Sequence, residues 1–379
     1  MTMFTAIAFA SVAAFAAATA TPTKPPKPAK PPAATAPVTP APAVTKDFCK
    51  KGVAVEGFTP AVRASSGAGV EFPDAEVAGE SEGWVKVGFT IDAEGATKDI
   101  VVLDQVGPPA MARAARLAVK RWVYKPAREG ERAVEQYGNT VELVFRRENV
   151  GNTGVHDEAV AKFDQGRTFV AAGKYGEGIA VLEETLESPL TLYEQAKVSF
   201  ALAFAYEKSN DRPRALAHIR HALIEGGRFL DKGVVPSARR MRVRLEAANG
   251  NLVHAACAAA LPAADSFDPT GADIKETARV VADAKARLSA LPALEVEATL
   301  VRDPAVERGG VWEKQLTRTK FRFARVIGIV EDFRLVCTRQ LAGGAVNESG
   351  HWSVPADAGT CTLRVAGEVG AAFKLIEEW

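Results

Sequence analysis

Histidine is scarce here, with five residues in a chain of 379, and no acid–base cluster can be assembled from them. Other marks of catalysis are missing as well. Ser65-Ser66-Gly67 lacks the strand–turn–helix setting of a nucleophile elbow. Gly67-Ala68-Gly69 and Gly343-Gly344 are followed by no phosphate-loop lysine. Glu183-Glu184 and Glu377-Glu378 read as surface and terminal charges. The chain is therefore not expected to be an enzyme, and no cofactor is expected. His218 and His221 stand three apart without a visible third ligand and are expected at the surface. None of the four cysteines has zinc-ligand spacing, so no metal is expected. Charge bias is absent too: 47 basic against 46 acidic residues leave a formal net charge of +1, which gives no support for a nucleic-acid partner. The basic run Arg239, Arg240, Arg242 and Arg244 is expected to be a solvated helix face. Beyond residue 20 nothing approaches the length of a membrane-spanning helix.

With 47% apolar and 25% charged residues the composition is globular, and the length predicts two to three domains. Residues 1–20 are apolar and alanine-rich and end in Ala16-Ala17-Ala18-Thr19-Ala20, a pattern for a cleaved export signal; an N-terminal anchor is the alternative. Export places the chain in the periplasm, and an anchor places it on the inner membrane facing the periplasm. Residues 21–44 hold nine of the 22 prolines together with Lys24, Lys27 and Lys30, a composition for an extended tether that reaches roughly 75 Å at most. An oxidising compartment favours disulfides. Cys337 ends one apolar strand-like run and Cys361 opens another, so these two are expected to bond across neighbouring strands. The pairing of Cys49 and Cys257 stays open.

Residues 45–150 carry the most informative pattern. From Trp84 to Ile91, Val85, Val87, Phe89 and Ile91 alternate with Trp84, Lys86, Gly88 and Thr90, a period-two strand with one apolar face. Asp92-Ala93-Glu94-Gly95 supplies a turn, and Asp99–Asp104 a return strand. Pro108-Pro109 opens a helix to about Trp122, in which Met111, Ala114, Ala115, Ala118, Val119 and Trp122 form an apolar stripe. A third strand runs from Asn139 to Arg146. This order, with Phe72-Pro73 ahead of it, resembles the C-terminal domain of the TonB family over roughly residues 58–147. The resemblance implies an α+β domain, a three-stranded antiparallel sheet with one helix. It also implies a partner, the TonB box of outer-membrane receptors, bound by strand addition during transport across that membrane. By the same resemblance, Phe72 and Pro73 stand for the family's Tyr-Pro motif beside the docked peptide, and Trp122 for the aromatic at the helix end. Asn139, Thr140, Val141, Glu142, Leu143, Val144 and Phe145 would offer the pairing edge. An energy transducer of this family keeps a membrane helix carrying Ser and His. Residues 1–20 contain Ser11 but no histidine, which argues against contact with the inner-membrane motor.

Residues 151–290 change to helices with an internal repeat. Gly166, Phe169, Gly173, Tyr175, Ile179 and Leu182 set a scheme that Ala203, Tyr206, Ala215, Leu216 and Ile219 repeat 37 residues later, and a poorer third copy passes through Leu245, Gly250 and Ala255. The scheme resembles tetratricopeptide repeats, which implies an all-α stack whose concave face could recruit other periplasmic proteins. An alternative reading therefore makes the chain a periplasmic scaffold whose TonB-like module does no energy coupling. Residues 291–379 alternate in short runs, Leu294–Leu300 and Lys320–Ala324 among them, and predict an all-β sandwich or barrel of no recognised family.

Overall fold

The computed structural model describes residues 57–64, 70–73, 80–147, 156–257, 271–302, 309–355 and 357–378. Contacts divide the chain after Pro40, and all described residues fall in the second unit, Ala41–Trp379. The leader, most of the tether and Cys49 lie outside the described residues. No helix among the described residues is long and apolar enough to cross a membrane.

The first segment runs β1 (Phe58–Thr59), β2 (Val62–Arg63), β3 (Gly83–Ile91), β4 (Thr97–Val106), α1 (Pro109–Lys120), β5 (Tyr124–Lys125), β6 (Ala127–Glu129), β7 (Arg132–Val134) and β8 (Gln136–Phe145). Its main sheet is antiparallel in the order β4-β3-β8. The β3–β4 turn forms where expected. Asp92 Oδ1 accepts from the amides of Glu94 and Ala96 at 3.1 and 2.7 Å. Gly95 takes φ +90°, and a Cβ there would stand 2.0 Å from the Tyr124 carbonyl oxygen. Val85, Val87, Phe89 and Ile91 face α1, whose Met111, Ala115 and Val119 close the core. The sequence reading missed β1-β6-β7 and β2-β5, ribbons of two or three residues per strand, which are too short to show a period.

Three helix pairs follow: α2 (Asp157–Ala171) with α3 (Tyr175–Leu186), α4 (Leu192–Lys208) with α5 (Arg212–Ala222), and α6 (Val235–Ala248) with α7 (Leu252–Ala256). The same turn closes each pair. Gly173, Asn210 and Gly250 are left-handed, and the next amide in each case returns to the helix, Lys174 to Phe169, Asp211 to Tyr206 and Asn251 to Glu246. Glycine or asparagine is what a left-handed C-terminal cap admits. The long α8 (Ala272–Ala290) then packs on α6 and α7.

The C-terminal region holds β9 (Ala293–Thr299), β10 (Val301–Arg302), β11 (Gly310–Gln315), β12 (Lys320–Ile327), β13 (Val330–Cys337), β14 (Leu341–Ala345), β15 (His351–Ser353), β16 (Cys361–Gly367) and β17 (Ala372–Glu378). They form two antiparallel sheets, β10-β11-β16-β13-β14 and β15-β12-β17-β9. Phe321, Phe323 and Phe373 of one sheet meet Phe333 and Trp312 of the other at ring distances of 5.2 to 5.7 Å, so the region is a sandwich with an aromatic core. Cys337 and Cys361 stand opposite each other on β13 and β16 and are bonded. Cys257 is also disulfide-bonded.

Two sequence expectations are corrected here. Of the basic run only Arg239 is exposed as expected: Arg240 is fully buried and, with Arg244, pairs with Asp273 of α8, while Arg242 reaches Glu246. A fourfold basic run reads as solvated when its acidic partners lie on other turns and helices. His218 and His221 are not surface residues either. His218 stacks on Tyr206 at 5.4 Å, and burial, helped by His221 and Arg214, pushes its pKa down to about 3. His221 Nε2 lies 2.8 Å from Asp104 of β4.

That last pair belongs to an extended seam. The face of β3 opposite α1 is covered by the helices, because Trp84, Val106 and Val144 join the helical core. Glu82, 3% exposed, fixes the seam through its backbone and its carboxylate. Its amide donates to the Leu190 carbonyl at 2.9 Å, its carbonyl accepts from Gln195 Nε2 at 2.8 Å, and its carboxylate accepts from the Leu192 amide at 3.0 Å. At the other junction Arg318 donates to the carbonyls of Leu291 and Pro292.

Candidate functional site

Strand β8 ends its sheet, and among the described residues no strand pairs with its outer side. From Asn139 to Phe145 it pairs one-to-one with Phe89 to Gly83 of β3 without a slip. Asn139, Val141, Leu143 and Phe145 turn toward the α1 core, whereas Thr140 and Glu142 are exposed. Glu142 Oε2 accepts from the indole of Trp84 at 3.3 Å, which holds the carboxylate beside the strand. A regular terminal strand leaves backbone donors and acceptors on one side, a template for an added chain.

The other sequence-nominated residues divide. Phe72 packs edge-on against Phe145 with ring centroids 6.0 Å apart, so Phe72-Pro73 lies at the C-terminal end of this edge. Trp122 does not belong to the edge surface. It is 5% exposed, meets Phe89 edge-on at 6.2 Å, and carries the Arg63 guanidinium 3.7 Å above its ring. Its place is in the core, and its bearing on a docked strand is indirect, through Phe89 of β3.

The sequence reading missed what bounds the edge. The Tyr137 amide donates to the Thr338 carbonyl at 3.0 Å, and Arg339 pairs with Glu129. No local signal could have revealed these contacts, since their partners lie some two hundred positions apart in the chain.

The helices carry a second candidate surface. A mainly apolar groove of about 720 Å³ lies between α2 and α4, floored by Phe163, Val170, Phe200 and Phe204 with Leu230 and Val234. Lys197 spans its wall, with its ammonium 5.3 Å from the Phe163 ring and 5.2 Å from that of Tyr193. Among the described residues no group of three or more His, Cys, Asp or Glu side chains could hold a metal.

Residues 68–146, about a fifth of the chain, match the family described as the Gram-negative bacterial TonB protein C-terminal. A solution NMR structure of the Pseudomonas aeruginosa TonB CTD is similar at 29% identity, over 25% of this chain and 92% of that one, with a TM-score of 0.21. No curated protein matches the chain. By the family match, residues 68–146 are a TonB-like C-terminal domain, followed by eight regular α- and 3₁₀-helical stretches in the described residues and then by β-sheets.

Proposed function

We propose that this chain, whose residues 68–146 form a TonB-like domain, is a periplasmic binding protein. Its partners are outer-membrane TonB-dependent receptors or peptides like their TonB box, taken up by strand addition along β8. One observation carries the reading: the matched domain ends its sheet in a regular, seven-residue edge, Asn139–Phe145, that no described strand covers. Backbone pairing along such an edge supplies affinity, and alternate side chains supply specificity. Periplasmic location rests on the export pattern of residues 1–20. The reading assigns a binding role and no chemistry, and it does not include energy coupling.

The test is a titration of the full chain with a labelled panel of TonB-box peptides, alongside Glu142→Pro, which removes a backbone donor from the edge strand. Saturable binding by the native chain that falls at least tenfold in a variant with unchanged circular dichroism is the expected result. Equal binding by both would refute strand addition on β8.

The groove between α2 and α4 favours a second reading, a scaffold that holds periplasmic proteins on its helical repeats. Phe204 stands 37% exposed beside it. Under that reading Phe200→Glu abolishes protein capture and leaves peptide binding at β8 intact.

A further inference from the structure

The C-terminal sandwich touches the β8 edge at one point. There the Tyr137 amide is bonded to the Thr338 carbonyl at 3.0 Å. Next along, a Cβ on Gly138 would lie 3.4 Å from Val336 Cγ1 and 3.6 Å from the Cys337 carbonyl oxygen. The β13–β14 turn therefore sits in van der Waals contact with the start of β8. It is held firmly: the Cys337 amide donates to the Gln340 carbonyl at 2.8 Å, and the Arg339 amide to that of Ala358 at 3.1 Å. The Arg339 side chain pairs with Glu129 and, at 3.1 Å, with Asp357, and the Cys337–Cys361 bond ties the turn to β16. β8 itself breaks at the same place. Gly138 has φ +68°, and the pairing with β3 shifts between Phe89 and Ile91.

We infer that the Thr338–Gln340 turn is a register stop for the partner strand, an inference that rests on the strand-addition reading. The Tyr137 donor is already used, and the turn fills the space beyond it, so an added strand can run beside Asn139–Phe145 and no further toward the start of β8. A one-residue slip along an edge turns every side chain to the opposite face, and a fixed end removes that freedom. The partner chemistry follows. It is an extended segment of seven residues, about 23 Å long. Its apolar side chains lie on the Val141 and Leu143 side, where Val70 and Phe72 already pack on the same core. On the other side the partner carries a hydroxyl or cationic residue beside exposed Thr140 and Glu142, since opposite charges across strands attract.

The test compares the full native chain with Arg339→Ala, which removes both ion pairs from the turn, and with Arg339→Lys, which keeps the charge. The probes are a labelled seven-residue peptide alternating valine with threonine and lysine, and versions extended by four residues at either end. In the native chain, extension at the end that meets the turn is expected to change Kd less than twofold. In Arg339→Ala the same extension tightens binding about tenfold, and Arg339→Lys falls between. Amide exchange without peptide gives an independent readout: Tyr137 is protected in the native chain and exchanges at least tenfold faster in Arg339→Ala. A tenfold gain from both extensions in the native chain, or an unprotected Tyr137 amide, overturns the stop. If no peptide binds while Tyr137 stays protected, the strand-addition premise fails and takes the inference with it, an outcome distinct from the other two.

Discussion

Glu246 is 1% exposed, yet it is charged, because Arg220 grips it with two bonds of 3.0 and 2.7 Å and Asn251 Nδ2 adds a third at 2.9 Å. Burial works to raise its pKa. The charge and hydrogen bonds of Arg220, with His254 and Arg242, outweigh it and hold the carboxyl at about 2. A depressed carboxylate contributes stability that is full above its ordinary value of 4.5 and fades as pH falls toward 2. The shift corresponds to about 3 kcal/mol. Glu246→Gln should cost about 1–3 kcal/mol in urea unfolding at pH 7, since a neutral amide replaces the buried charge that the 37% exposed Arg220 side chain holds, and it should flatten the acid limb below pH 4.5. His156 behaves in the opposite sense. Burial lowers its pKa, but hydrogen bonds and charges from Glu194 and Glu80 prevail and raise it above 6.5. Its contribution is full below 6.5 and is lost as pH rises through the folded value. Native stability measured by thermal melting should therefore fall as pH rises above 6.5, and His156→Gln should lack that fall.

At the level of elements, the β3–β4 turn shows what was legible and why. Asp92 and Gly95 are local turn chemistry, readable from four residues, and the structure uses both as expected. Gly95→Ala should destabilise the first segment by more than 2 kcal/mol, because a left-handed φ and a Cβ against the Tyr124 carbonyl both oppose it. The disulfide was equally legible, since Cys337 and Cys361 mark the ends of two alternating runs. Replacing both by alanine should cost about 3 kcal/mol in the sandwich, read as a lowered melting temperature in the absence of reductant. The arginine run was misread for the complementary reason. Helical periodicity tells which residues share a face, but not that Asp273 on α8 lies over that face. The edge strand was legible as an alternating run, while its boundary at Tyr137 depends on a turn from another part of the fold.

Over the whole molecule, the TonB-like sheet is packed on both faces, by α1 on one and, at Trp84, Val106 and Val144, by the helices that follow on the other. Trp84, Val106 and Val144 are core residues only while the helices are present. A fragment ending near residue 150 should expose Trp84, shift its fluorescence to the red and associate at micromolar concentration. Glu82→Ala in the full chain should loosen the same seam, seen as faster amide exchange at Leu192, whose donor it leaves buried without its acceptor. Along β8 this packing leaves a regular stretch of seven residues, Asn139–Phe145, that no described strand covers. Amide exchange along β8 with and without saturating TonB-box peptide measures its use directly. Slowing of at least tenfold confined to alternate amides of Asn139–Phe145 is the expected result. An unchanged β8, with protection appearing around Phe163 and Phe200 in the helical groove, would contradict strand addition and give the chain to its scaffold reading.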